Sequence, residues 1–223
     1  MMKFADRRQA GRLLAPKLAE YTDESGALVL GLPRGGVVVA DEVAKALRLP
    51  LDAWVVRKLG FPGEPELAMG AIASGDSTVM NRDMIRSFQV SETSLHEVVN
   101  VEKRELVRRE IIYRGGLPLP AVTGKAVIVV DDGVATGYTF LAALKAIRER
   151  NPRELVAAAP VGSPQSIDRL GDVADRVFCL RTPDDFMGVG QWYDSFEPVS
   201  DKEVIEILSQ SHIGRSTRLL GKV

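Results

Sequence analysis

Cysteine, histidine and net charge are all in short supply in this chain. One cysteine, Cys179, and two histidines, His96 and His212, stand among 223 residues. A lone cysteine rules out a disulfide within the chain and fits a reducing compartment; flanked by Phe178 and Leu180, it is expected to be a buried, inert thiol. The stretch HEVVN (His96–Asn100) lacks the second histidine of a zinc-protease helix, so His96 is expected on an exposed helix face and His212 in solvent. Twenty-nine basic residues against thirty acidic ones leave a net charge of −1, which gives no general grip on nucleic acid. No apolar run is long enough to span a bilayer, and no secretory leader is expected. The Walker pattern GxxxxGK[ST] is missing, and GSPQS (Gly162–Ser166) is not a nucleophile elbow. These absences predict a cytoplasmic protein with neither a nucleic-acid nor a membrane partner.

What is present is an ordinary globular composition, 45% hydrophobic and 26% charged, enough for one domain over residues 1–223. Helical spacing of Leu13, Leu14, Leu18 and Tyr21 opens the chain. GALVLGL (26–32) reads as a strand, broken by PRGG and followed by a helix over Val37–Arg48. LDAWVVRKL (51–59) reads as a second strand, and GFPGEPE (60–66) as a mobile loop. MGAIAS and STVMN, separated by Gly75-Asp76, predict a hairpin, and a long charged helix follows over Ser91–Arg114. The strand AVIVV (126–130), a helix over Thr139–Arg150, and the strands ELVAAAP and DRVFCLRT come next. An aromatic segment, FMGVGQWYDSF (186–196), and a helix from about Ser200-Asp201 close the chain. Apolar strands alternating with amphipathic helices predict an α/β fold: a mostly parallel twisted sheet with helices on both faces. In such sheets ligands bind at the carboxyl ends of the strands.

One of those ends is VIVVDDGVATGYT (Val127–Thr139). Two adjacent carboxylates repel each other and are partly desolvated at a strand end, which is tolerable where they face hydroxyls, a magnesium ion or developing positive charge. Behind them, small residues lead into a helix start, whose free N–H groups and dipole favour an anion. Thr136 and Thr139 add hydroxyls. A sugar phosphate has this layout. The alternative is an Asp-rich turn that only caps the helix through Asp132 and Thr136.

These thirteen residues resemble the phosphoribosyl-pyrophosphate signature of the type I phosphoribosyltransferases: an apolar strand, two acids and a small-residue loop ending in T-G-x-T. Gly133 departs from it, an apolar residue being usual there, and Tyr138 is bulkier than usual, so its side chain has to point away from the phosphate. GLPRGG, RKLG, YRGG and the late QWY stretch are similar to a small stand-alone branch of that family over nearly the whole length. The resemblance implies the type I fold with a small hood, built from parts of 81–123 and 183–223. It implies that Asp131 and Asp132 hold the ribose hydroxyls and that Ala135, Thr136, Gly137, Tyr138 and Thr139 wrap the 5-phosphate. Arg34, Gly35 and Gly36 would form the pyrophosphate loop, with Arg57 and Lys58 reaching the same group; the alternative for Arg57 and Lys58 is a solvated pair at a strand edge. Glu66 is a weaker candidate.

Phe186 and Tyr193, with Trp192 and Phe196 nearby, are the candidates for stacking an acceptor base; aromatics so spaced also fill cores. The activity implied is transfer of a phosphoribosyl group from phosphoribosyl pyrophosphate to a nitrogen acceptor, with Asp131, Asp132, Arg34 and Arg57 as the catalytic set. Magnesium would be carried by substrate, with Asp131 and Asp132 as its nearest protein groups. The charged helix of Glu102 to Glu110 reads as a solvated face or as one packed on the partner subunit of a homodimer. A non-catalytic sensor of phosphoribosyl pyrophosphate or a nucleotide is the rival reading, and a nucleotide phosphatase a third.

Overall fold

In the computed structural model, residues 3–75 and 77–220 are described, apart from the side chains of 65, 66 and 212–220. Asp76 of the hairpin signal and the side chains of Glu66 and His212 therefore lie outside the described residues. Five apolar stretches form one parallel sheet: β1 (Ala27–Gly31), β2 (Leu51–Ala53), β6 (Ala126–Val130), β7 (Glu154–Val161) and β8 (Arg176–Arg181), in the order β2-β1-β6-β7-β8. β1 and β6 are buried at every position, as unbroken apolar runs must be when both faces of a sheet are covered. Successive side chains point to opposite faces. Val29, Ile128 and Val130 pack under α1 (Arg7–Leu14), α2 (Gly35–Leu47) and α7 (Asp201–Leu220), while Leu28, Leu30, Val127 and Val129 pack on α5 (Tyr138–Arg148) and α6 (Pro164–Gly171).

The second strand expected over 51–59 is two strands in two sheets. At Trp54-Val55 the chain leaves the parallel sheet: Trp54 N–H still donates to the Gly31 carbonyl (3.1 Å), whereas the Val55 carbonyl accepts from Ser74 N–H (2.8 Å). Beyond that point β3 (Val56–Phe61), β4 (Glu64–Ala73) and β5 (Ser77–Met80) form an antiparallel sheet, which is the small hood. The stretch read as a mobile loop is the tip of the β3–β4 hairpin. Pro62-Gly63, with Gly63 at φ 86°, makes the turn and lets Phe61 pair with Glu64. Pro and Gly mark a tight turn here, and the strand pairing beyond it is set by β4, which no local pattern shows.

After the short α3 (Arg82–Ser87), the long charged helix is α4 (Glu92–Arg114), capped by the Ser91 side chain and ended by Gly115 at φ 60°. Its last residue turns inward. Arg114 and Asp52 pair with side chains only 3% and 2% exposed, and Arg114 also donates to the carbonyls of Leu117 and Pro118. This pair fixes α4 to β2. Arg114→Met takes the paired guanidinium away from the buried Asp52 carboxylate, so urea unfolding is expected to show a loss of about 3–5 kcal/mol; a loss below about 1 kcal/mol would show that other groups or water compensate Asp52.

Candidate functional site

β1 and β6 lie side by side with Gly31 opposite Val130, and the order of the sheet reverses between them. That is the topological switch point, where such sheets open a crevice at their carboxyl ends. Two loops leave it. One, residues 32–34, enters α2; the other, residues 131–137, enters α5, on the opposite face of the sheet.

The first loop is held by Leu32 N–H donating to the Val130 carbonyl at 2.9 Å, and its Pro33–Arg34 peptide bond is cis. α2 begins at Gly35 without a side-chain cap, so its first N–H groups remain available to an anion. The two glycines are needed for contact with the acidic loop. A Cβ on Gly36 would lie 2.7 Å from the Val130 carbonyl oxygen and 2.8 Å from Asp131 Oδ1; one on Gly35 would lie 1.9 Å from Asp132 Oδ2. Arg34 is 42% exposed, with Nη1 4.0 Å from Asp201 Oδ1. Asp201 also accepts a hydrogen bond from the Tyr113 hydroxyl (2.5 Å), and burial with that bond pushes the Tyr113 phenol up to about 12.

In the second loop, Asp131 Oδ1 accepts from Asp132 N–H (2.8 Å), and Asp132 Oδ2 accepts from Arg7 Nε (2.7 Å). Burial raises the pKa of both carboxyls; the neighbouring Asp132 charge pushes Asp131 further up, while Arg7 pulls Asp132 back down. The pair titrates as a unit. Further along, the Ala135 carbonyl accepts from Ser163 Oγ (3.0 Å) and Ser166 Oγ (2.6 Å). GSPQS, no nucleophile elbow, is thus a brace: Ser163 caps α6 and both hydroxyls fasten the loop. Gly137, at φ 78°, is the N-cap of α5, and no side chain caps that helix. Ala135 and Thr136 are exposed, and Tyr138 and Thr139 half-buried. The Tyr138 hydroxyl accepts from Asn81 Nδ2 (2.5 Å), which directs the ring to the end of β5. The family departure at Gly133 also has a reason: a Cβ there would sit 2.4 Å from Val189 Cγ1.

The aromatic segment covers this loop. Tyr193 is 3% exposed, donates its hydroxyl to the Asp132 carbonyl (2.6 Å), and packs between Phe4 and Phe196 at 5.4 and 5.0 Å. Its ring faces protein on both sides, and Phe186 is half-buried against the same cluster. Arg57 lies in the hood, pairing with Glu102 of α4 at 2.6 Å. With Lys58, Phe61, Gly63 and Glu97 these two line a cleft of about 610 Å³. Another cavity, about 730 Å³, lies at the opposite edge of the parallel sheet, beside Leu28, Leu51 and Lys125. Cys179 is half-buried, and burial raises its thiol to about 11.

Arg7, Ser163, Ser166, Asn81 and Asp201 were not among the sequence candidates. Each meets the loops through a contact between distant parts of the chain. Only the S-x-x-S spacing of Ser163 and Ser166, with a proline after the first, carried a local sign, that of a helix cap.

A parallel sheet with paired acids and two helix starts without side-chain caps at its switch point is of the doubly wound α/β class, whose crevice opens between the strand ends. The chain belongs to the phosphoribosyl transferase domain family, whose sequence pattern matches residues 6–195. "Putative phosphoribosyl transferase Rv0571c" of Mycobacterium tuberculosis (strain ATCC 25618 / H37Rv) is 43% identical over 212 residues, 95% of this chain and 48% of that protein; the chain thus spans about half the length of the curated relatives it matches. The crystal structure of TT1426 from Thermus thermophilus is 43% identical, covers 94% of this chain and 99% of its own, and superposes with a TM-score of 0.78.

The raised carboxyl of Asp131 predicts a pH dependence. Between the ordinary carboxylate range and its raised folded value, the native protein binds more protons than the unfolded chain, so stability falls as pH climbs through that window. Asp131→Asn removes this loss. Its stability relative to wild type should rise with pH in urea titrations across the window; a constant difference would place Asp131 in water.

Proposed function

We propose that this protein is an enzyme that moves the 5-phosphoribosyl group from phosphoribosyl pyrophosphate to a nitrogen of a planar acceptor, a nucleobase, and releases pyrophosphate. The observation that carries the reading is the abutment of the two loops: Gly35 and Gly36 lie so close to Asp132 and Asp131 that no side chain fits between them. One ligand can then touch both helix starts and the acids together, which suits a sugar bearing phosphates at opposite ends.

In this reading the 5-phosphate sits at the start of α5, met by backbone N–H groups of residues 135–139 and the hydroxyls of Thr136 and Thr139. The pyrophosphate sits at the start of α2, met by Gly35, Gly36 and Arg34, whose guanidinium makes a forked contact. Asp131 and Asp132 accept from the ribose hydroxyls. The bond from the anomeric carbon to pyrophosphate breaks with its electron pair leaving on pyrophosphate. The acceptor nitrogen bonds to the anomeric carbon and gives up its proton to the departing pyrophosphate. The carboxylates stabilise the positive charge that develops on the sugar, and Arg34 the negative charge that departs. Most of the acceleration is positioning and electrostatics.

Magnesium we read as an ion brought by the substrate, for which the carboxylate oxygens of Asp131 and Asp132, beside Gly35 and Gly36, are the chemically suited protein groups. There it would neutralise the leaving pyrophosphate. The hood, based on the antiparallel sheet and completed by parts of 81–123 and 183–223, would hold the acceptor. Arg57 and Lys58, on the hairpin, would reach the pyrophosphate when that hairpin closes, Arg57 exchanging Glu102 for phosphate oxygens. Tyr193 we assign to supporting the Asp132 peptide, which leaves Phe186 as the aromatic available to a base. A cytoplasmic site of action belongs to the same proposal, resting on the reducing compartment that the lone Cys179 fits; among the described residues no helix is long and apolar enough to cross a membrane.

A pyrophosphate-release screen with purines, pyrimidines and other nitrogen acceptors tests the proposal. Wild type should release pyrophosphate with at least one acceptor, and Asp131→Asn with Asp132→Asn should abolish that release while the melting transition persists. Binding of phosphoribosyl pyrophosphate without release for any acceptor would replace the enzyme with a sensor, and full activity in the double variant would move the site elsewhere.

A further inference from the structure

Arg7 is separated from Asp132 by 125 residues, yet its side chain is fixed against that carboxylate from several directions. Asp6 caps α1 by accepting from Gln9 N–H at 2.7 Å, which places Arg7 as the first residue of the helix. Its Nε donates to Asp132 Oδ2 at 2.7 Å and its Nη1 to the Glu197 carbonyl at 2.8 Å. The guanidinium lies over the Phe196 ring, 3.8 Å from the centroid. The side chains of Arg7 and Asp132 are 11% and 15% exposed, so this pair is far less screened than one on the surface.

Asp132 itself is gripped at three points. Its carbonyl accepts from Tyr193, its N–H donates to Asp131, and its Oδ2 is taken by Arg7. Phe4, Tyr193 and Phe196 stack behind it, and backbone pairing of Phe4 with Trp192 and Asp194 joins the N-terminal segment to the aromatic segment. Gly35 closes the remaining side, since a Cβ there would collide with both Asp132 Oδ2 and Arg7 Nε. One carboxylate oxygen is therefore committed to Arg7, and the rotamer that commits it also fixes where Oδ1 points.

We propose that Arg7 is a positioning residue for the acidic pair: it holds Asp132 in the one orientation in which its other oxygen can accept from a sugar hydroxyl. Arg7 acts through Asp132, and the inference rests on the ribose reading given above. A structural pin for the N-terminal segment would weaken every ligand alike, whereas a positioning role is specific to the sugar.

Titration calorimetry with two probes separates these roles: ribose 5-phosphate, which has both phosphate and hydroxyls, and methyl phosphate, which can use only the start of α5. Arg7→Met is expected to weaken ribose 5-phosphate about tenfold or more, while methyl phosphate stays within about twofold. Arg7→Lys, which keeps the charge and guards against a folding defect, should fall between Arg7→Met and wild type. Arg7→Met combined with Asp132→Asn should be no weaker than Asp132→Asn alone, because the arginine has lost the group it positions. Unchanged binding in Arg7→Met, equal losses for both probes, or losses that multiply in the double variant would each overturn the role of Arg7 while leaving the site intact. A wild type that binds methyl phosphate but gains nothing from the sugar, or binds neither probe, would overturn the ribose reading and this inference together.

Discussion

The parallel pairing of β1 with β6 is the constraint on which the rest depends. Because Gly31 stands opposite Val130, the loops that leave these strands start next to each other and pass to opposite faces of the sheet. Their helices then point their starts toward one crevice from two sides. β6 is apolar on both faces, so its register rests on the fit of its side chains against the helices on each side, and that packing fixes the register of the site as well. Gly31 adds to this: a Cβ there would lie 2.7 Å from the Val37 Cα, so α2 sits directly on the strand end.

Given that geometry, the acidic pair is an electrostatic problem that the surrounding structure answers unevenly. The Asp132 carboxylate is paired with Arg7, whereas Asp131 Oδ1 accepts from the N–H of its neighbour, and burial with the Asp132 charge beside it pushes its carboxyl up. An unrelieved carboxyl at a strand end raises the energy of the empty protein. A ligand that brings hydroxyls, and an ion with them, would relieve it. The same asymmetry appears at Arg34, half exposed and only loosely paired with Asp201, which leaves it available to an anion. Two lightly paired charged groups, Asp131 and Arg34, thus flank the crevice, while Ser163, Ser166, Tyr193 and Arg7 hold the backbone and side chains behind it.

How much of this was legible follows from the range of each interaction. Buried parallel strands show as continuous apolar runs, so β1, β6 and β7 could be read directly, as could the half-buried edge strand β8 from its apolar centre and α4 with its serine cap and terminal glycine. The parallel α/β class followed, and the family followed from the acidic loop, whose chemistry is confined to thirteen adjacent residues. The split at Trp54-Val55 was not legible, because both halves are apolar and only the partners, Gly31 and Ser74, differ. The β3–β4 hairpin is hidden when Pro62 and Gly63 are read as looseness rather than as a turn. Arg7 gave no signal in a basic, amphipathic helix, for its partner is more than a hundred residues away. The aromatic segment stands out for its rings, but the hydroxyl of Tyr193 and the side chain of Val189 against Gly133 are its contacts with the loop.

The central claim is that one sugar phosphate joins the starts of α2 and α5 across Asp131 and Asp132. A crystal structure of the protein soaked with phosphoribosyl pyrophosphate and magnesium tests it most directly. The account predicts the 5-phosphate on the backbone of residues 135–139, the ribose hydroxyls on the two carboxylates and the pyrophosphate beside Arg34 and Gly35. Ligand density in the hood cleft by Arg57 with an empty switch point, or a ligand that touches only one of the two loops, would contradict it.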